Sequence, residues 1–212
     1  GIVTGGGELK QIAITRKIPF VSFFPNDLTA RQALGYNFYS VLKLLKVIFP
    51  KIKIPEFDSK FKPFKLKSVA LKIARFVNGT IPVIYTDTEK KYIGYFWKTN
   101  FNETAKQPAF NNVFPEMMHN EITGFEKKLF PFSALFFITS RKSQINEKIR
   151  KTVRILKDNG LKTKLIKLTG RNEIEEALNA LILSQLTSFY LAKIKKVDPA
   201  ETRLINQLKK MK

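Results

Sequence analysis

The chain has 212 residues, 38 Lys and Arg against 17 Asp and Glu for a formal net charge of +21, and 44% apolar residues. That length and apolar content build a sizeable core and exclude a disordered chain, and the lack of cysteine excludes disulfides and thiolate metal sites. The longest apolar runs, such as Ala134 to Ile138, fall far short of a bilayer span, and no export signal opens the sequence, so no membrane association and a cytoplasmic location are expected.

In chain order, Gly1 to Thr4 predicts a short buried strand, Gly5-Gly6-Gly7 a tight turn, and Glu8 to Ala13 a short helix. A glycine turn feeding a helix can cradle a phosphate. Phe20 to Phe24 predicts the next strand, and Pro25 to Thr29 a turn that caps a helix over Ala30 to Phe49. Arg31 then falls in the first helical turn, where the helix dipole opposes a cation. Residues 51–63, rich in Pro and Lys, form a linker between two halves, 1–50 and 64–212. Phe64 to Phe76 predicts a helix, Ile81 to Thr86 a strand, and Tyr92 to Ala105 a helix carrying Asn102 and Glu103.

The segment Asn100 to Gly124 is rich in Asn, holds two prolines and contains the only histidine, His119, so it predicts neither a clean helix nor a clean strand. Ser133 to Ile138 reads as a buried strand and Gln144 to Asn159 as a basic amphipathic helix closed by Gly160. Thr163 to Leu168 alternates and suits a strand near a sheet edge. Asn172 caps a helix running to about Lys196, with Ile174, Ala177, Leu178, Leu181, Ile182 and Phe189 on its apolar face, and Asp198-Pro199 caps a last helix over Ala200 to Lys212. Strands alternating with helices predict an α/β fold with a parallel sheet, whose ligands bind at the C-terminal ends of the strands.

The positive charge suits a nucleic-acid binder. The basic residues, however, are spread from Lys10 to Lys212 with no interleaved stacking aromatics, a pattern that favours a general surface bias able to attract small phosphorylated anions. No P-loop, dinucleotide fingerprint or serine nucleophile elbow is present. Acid–base chemistry remains, with Glu103 and His119 as its candidates beside a lysine or arginine.

Larger motifs carry a resemblance. Asn102-Glu103-x-x-Lys106, Pro108-Ala109-Phe110, Asn112, and Phe114-Pro115-Glu116-x-x-His119-Asn120-Glu121-Ile122-x-Gly124 resemble the active-site segment of the archaeal and bacterial bifunctional phosphoglucose/phosphomannose isomerases, of the sugar-isomerase (SIS) fold. Thr4-Gly5-Gly6-Gly7-x-Leu9, the stretch Pro25 to Arg31 with Ala33 to Tyr36, Ser188 to Ala192, and Val197-Asp198-Pro199 with Leu208-Lys209 are similar to further family motifs. The resemblance implies a three-layer fold holding the end of one SIS half and the whole of a second. It also implies a cofactor-free isomerase of glucose 6-phosphate and fructose 6-phosphate that acts on mannose 6-phosphate as well.

By matching position, Glu103 resembles the base that moves a proton between C2 and C1 through a cis-enediol. His119 resembles the ring-opening acid/base supplied by the neighbouring subunit of a homodimer. Lys209 resembles the lysine that assists ring opening, and Arg31 the arginine that stabilises the enediolate. Thr202 resembles the threonine that leaves room for the mannose epimer, and Gly5 and Gly6 belong to a substrate-binding glycine stretch. The family's Ser/Thr-rich phosphate segment has no counterpart here. Two alternatives stand beside this reading: a non-catalytic SIS module that senses a sugar phosphate, and a nucleic-acid binder whose binding weakens steeply with salt.

Overall fold

A β-branched pair favours an extended start, and the glycines that follow let the chain reverse. β1, Ile2–Thr4, leads through Gly6 and Gly7 at φ +138° and +67° into α1, Gly7–Thr15, and then to β2, Phe20–Ser22, parallel to β1. The Thr4 hydroxyl secures this turn, donating to the Gly6 carbonyl at 2.8 Å and accepting from the Gly6 amide at 3.1 Å. α2, Leu34–Ile48, follows. The computed structural model describes residues 1–23, 28, 29, 31–54, 63–127, 129–141 and 143–211, so Phe24 to Asp27, Ala30 and the part of the linker from Pro55 to Lys62 lie outside the described residues.

The expected start of the second helix is corrected. The Gln32 side chain accepts from the amide and hydroxyl of Thr29, both at 2.9 Å, and the Thr29 carbonyl accepts from the amides of Gln32 and Ala33. This closed turn delays the helix to Leu34 and leaves Arg31 ahead of it, clear of the first turn where the dipole opposes a cation. Residues Gly1–Lys60 form one compact unit and Phe61–Lys212 a second.

In the second unit α3, Lys67–Val77, precedes β3, Ile81–Asp87; α4, Lys91–Thr104, precedes β4, Phe110–Phe114. β5, Phe132–Ile138, α5, Gln144–Asp158, β6, Lys162–Lys167, α6, Glu173–Lys195, and α7, Arg203–Lys210, complete it. The four strands form one parallel sheet in the order β4-β3-β5-β6, which places β6 at the expected edge. Alternation along β3 and β5 splits the core into two layers. Ile84, Leu135 and Phe137 pack with Ile73, Trp97 and Leu191 of α3, α4 and α6 on one face. Val83, Tyr85, Phe136 and Ile138 pack with Met117, Ile149 and Leu156 on the other. This is the expected three-layer α/β arrangement.

Three expectations fail here. β4 runs through the segment read as irregular, because Asn111 and Asn112 in its middle mask a strand at the second sheet edge. α6 turns a broader face inward than expected: Leu181 of the expected face is buried, but so are Ala180, Leu183, Ser184, Thr187, Ser188 and Leu191, while Phe189 is 36% exposed. Small residues win that face because α6 lies against both α3 and α4, and the Ser184 hydroxyl satisfies itself on the Leu181 carbonyl at 2.7 Å while accepting from Asn100. The last helix begins at Arg203, since the Asp198 carboxylate takes up the Ala200 amide at 2.8 Å in a turn of its own.

Among the described residues α6 alone has the length and apolarity of a bilayer span, yet it packs here as a core helix. Its predicted cap forms: the Asn172 side chain accepts from the Glu175 amide at 3.0 Å. Asn172→Ala is expected to cost about 1 kcal/mol, read as a lower midpoint in urea unfolding with an unchanged slope.

Candidate active site

Glu103 stands on the last turn of α4, which returns the chain from the C-terminal end of β3 to the N-terminal edge of the sheet. The backbone beyond it is pinned at several points. Lys106 adopts φ +49°, and its ammonium donates to the Glu103 carbonyl at 2.9 Å. Asn102 accepts from the Ala109 amide at 2.9 Å, and Gln107 donates to the Thr80 carbonyl at 2.9 Å. Lys195, at the end of α6, donates to the Lys106 carbonyl at 2.9 Å and to the Gln107 side chain at 3.0 Å. Partial burial draws the Lys195 pKa below the usual lysine value. Thr202, at the N-terminus of α7, meets Glu103 across a depression of about 420 Å³ lined by Asn102, Glu103, Lys106 and residues Glu201 to Ile205.

The structure thus brings together Glu103 and Thr202, 99 positions apart (202 − 103). A depression lined by a carboxylate, Lys106, Arg203 and a hydroxyl can bind a polyhydroxylated anion and exchange a proton with it. The depression lies at the N-terminal edge of the sheet, opposite to the expected C-terminal end. Lys209 is exposed on α7 and does not line it. A second concavity, of about 400 Å³, does occupy the C-terminal edge; it is lined by Asp87, Lys90, Arg141, Glu173 and Glu176 among others and by none of the predicted site residues. Burial holds the Asp87 carboxyl there above its usual range.

His119 is exposed and sits beyond β4, just after a short 3-10 helix, Glu116–Met118. Met117 of that helix is buried against Ile149 and Leu156, on the sheet face opposite to the one that α4 covers. The sheet therefore stands between Glu103 and His119 within one chain. Gly5, Gly6 and Arg31 belong to the first unit. There Gly6 and Gly7 have no atom within 4 Å of a Cβ position, so the turn is open to solvent.

Residues 66–211 match the family model described as the bacterial phospho-glucose isomerase C-terminal SIS domain. The chain belongs to that family. It is 28% identical over 211 residues to a bifunctional phosphoglucose/phosphomannose isomerase of Aquifex aeolicus, covering 98% of this chain and 65% of the relative. To the protein of the same description in Thermoplasma acidophilum it is 31% identical over 218 residues, covering 98% and 66%. The chain thus spans about two thirds of the length of these curated relatives. Among solved structures, glucosamine-6-phosphate deaminase from Thermotoga maritima shares the fold, with a TM-score of 0.64 at 11% identity over 93% of this chain and 62% of that one.

In this SIS domain the depression's supporting residues Lys195 and Gln107 escaped sequence reasoning, since neither carries a periodic or spacing signal. Tyr85 escaped it too. It is fully buried in β3, and its hydroxyl donates to Glu121 at 2.7 Å.

Proposed function

We propose that the protein is a sugar-phosphate isomerase that interconverts glucose 6-phosphate and fructose 6-phosphate, and mannose 6-phosphate with fructose 6-phosphate. The observation that carries the reading is the placement of Glu103 and Thr202 on one depression, in a chain whose relatives are described as phosphoglucose/phosphomannose isomerases. Glu103 takes the proton from C2 of the open aldose as the electron pair moves into a C1–C2 enediol. It returns the proton to C1 as the carbonyl forms at C2, so no redox change occurs and the same carboxylate ends as it began. Arg31 neutralises the enediolate oxygen, and the Gly5-Gly6 stretch belongs to the substrate-binding residues. Thr202 admits either C2 epimer.

His119 and Lys209 serve ring opening. Because the sheet separates His119 from Glu103 in one chain, His119 serves the Glu103 site of a second copy, which makes the homodimer part of the catalytic unit. The surplus of positive charge draws in the substrate dianion. No cofactor is required, and the protein acts in the cytoplasm on the sugar phosphates of glycolysis and gluconeogenesis.

The test is turnover of fructose 6-phosphate to glucose 6-phosphate by the protein at its native length, with mannose 6-phosphate assayed separately. Turnover of both is expected, with rates unchanged after dialysis against a chelator. Calorimetric binding of the sugar phosphate without turnover would support the sensing module instead, and salt-sensitive binding of RNA or DNA in place of either would support the nucleic-acid reading.

A further inference from the structure

We propose that Glu121, clamped by Tyr85, is the positioning residue that fixes where His119 points; the inference rests on the assignment of His119 made above. His119 is exposed, yet the chain is fastened two residues to either side of it. On one side Met117 is fully buried in the core. On the other, the Glu121 carboxylate receives the Tyr85 hydroxyl at 2.7 Å on one oxygen and the Asn112 amide group of β4 on the other. Between these anchors the Asn120 side chain donates to the Glu116 carboxylate at 2.7 Å, and the His119 amide donates to the Glu116 carbonyl at 3.0 Å.

Tyr85 is itself fully buried. Its ring is wedged between Phe136 and Phe114, with centroids 5.1 Å and 6.2 Å away. Burial, and then the hydrogen bond to Glu121, push its pKa far above the usual tyrosine value, so it remains a proton donor across the working pH range. Phenylalanine would fill that space equally well, whereas a phenol buried in a sheet is costly unless its hydroxyl has a partner. The hydroxyl's use is to hold Glu121. A loop histidine that merely faces solvent needs no such fastening. An imidazole that must meet a sugar ring held by another copy does, because displacement by about 1 Å costs on the order of 100-fold in rate.

Two readouts test this. The first is amide hydrogen exchange across residues 118–122 in Tyr85→Phe. Exchange there is expected to rise about 10-fold, the worth of one hydrogen bond, while the amides of β3 and β5 stay protected. The second is a cycle of Tyr85→Phe, Glu121→Ala and Glu121→Gln with and without His119→Ala, assayed on fructose 6-phosphate. Tyr85→Phe and Glu121→Ala are expected to lower kcat about 10- to 100-fold with KM unchanged, with Glu121→Gln, whose amide oxygen still accepts from Tyr85, losing less. In the His119→Ala background the same changes should cost nothing further. Unchanged exchange in Tyr85→Phe would sink the clamp alone. Additive losses in the cycle would overturn the positioning role. Undiminished turnover by His119→Ala would overturn the assignment of His119 and, with it, the catalytic meaning of the clamp.

Discussion

Glu103→Gln is expected to lower kcat for fructose 6-phosphate by about 100- to 10,000-fold, the range over which a positioned general base contributes. The amide matches the carboxylate in shape but cannot accept the C2 proton, so the loss falls on kcat with little change in KM. The contacts that hold the turn beyond Glu103 survive the change. Lys106 donates to the backbone carbonyl of Glu103, and Asn102, Gln107 and Lys195 hold the turn beyond it without using the Glu103 side chain. Under the proposed mechanism turnover of glucose 6-phosphate and of mannose 6-phosphate should fall together, because both epimers would give up their C2 proton to one carboxylate. Retained exchange of the C2 proton with solvent in the Gln variant would remove Glu103 from the base role.

Periodicity made the layers of the second unit readable. The run Ser133 to Ile138, buried at every position, belongs in the middle of a parallel sheet, and the alternation across Thr163 to Leu168 belongs at its edge; β5 and β6 occupy those places. Local capping chemistry was equally legible, since Asn172 needs only the amide three residues on. What failed depends on contacts distant in sequence. β4 hides behind Asn111 and Asn112 because an edge strand need not be apolar, and Asn112 has Glu121 to bind. The inward face of α6 follows from having two helices against it, which favours Ser184, Thr187 and Ser188 over Phe189. The pairing of Glu103 with Thr202 has no local signal; the family motifs name each residue singly, and only the fold brings them onto one depression. The clamp of Tyr85 on Glu121 spans 36 positions and joins a core strand to a surface turn, so neither pattern nor motif announces it.

Phe137→Ala is expected to destabilise the second unit by about 3–5 kcal/mol, a large part of the roughly 5–15 kcal/mol available to a domain. The ring is 1% exposed on β5 and meets Trp97 of α4 edge-on, centroids 5.0 Å apart at 60°. Trp97 in turn meets Phe101 at 5.8 Å, so the three rings join the central strand to the helix that carries Glu103. Removing one ring leaves a void that strand and helix cannot both close in on, because each is held by its own neighbours. Trp97 is the only tryptophan in the chain, so its emission reports this unit without labelling. The midpoint followed by that emission should fall by about 6–20 °C, at 2–4 °C per kcal/mol for a domain of this size. Ile155→Ala, at a residue 58% exposed on α5, should move it by little. Since α4 carries both Trp97 and Glu103, thermal loss of the proposed isomerase activity should track the tryptophan transition in parent and variant alike, and a Phe137→Ala midpoint equal to the parent's would show that these rings do not join the strand to the helix that carries Glu103.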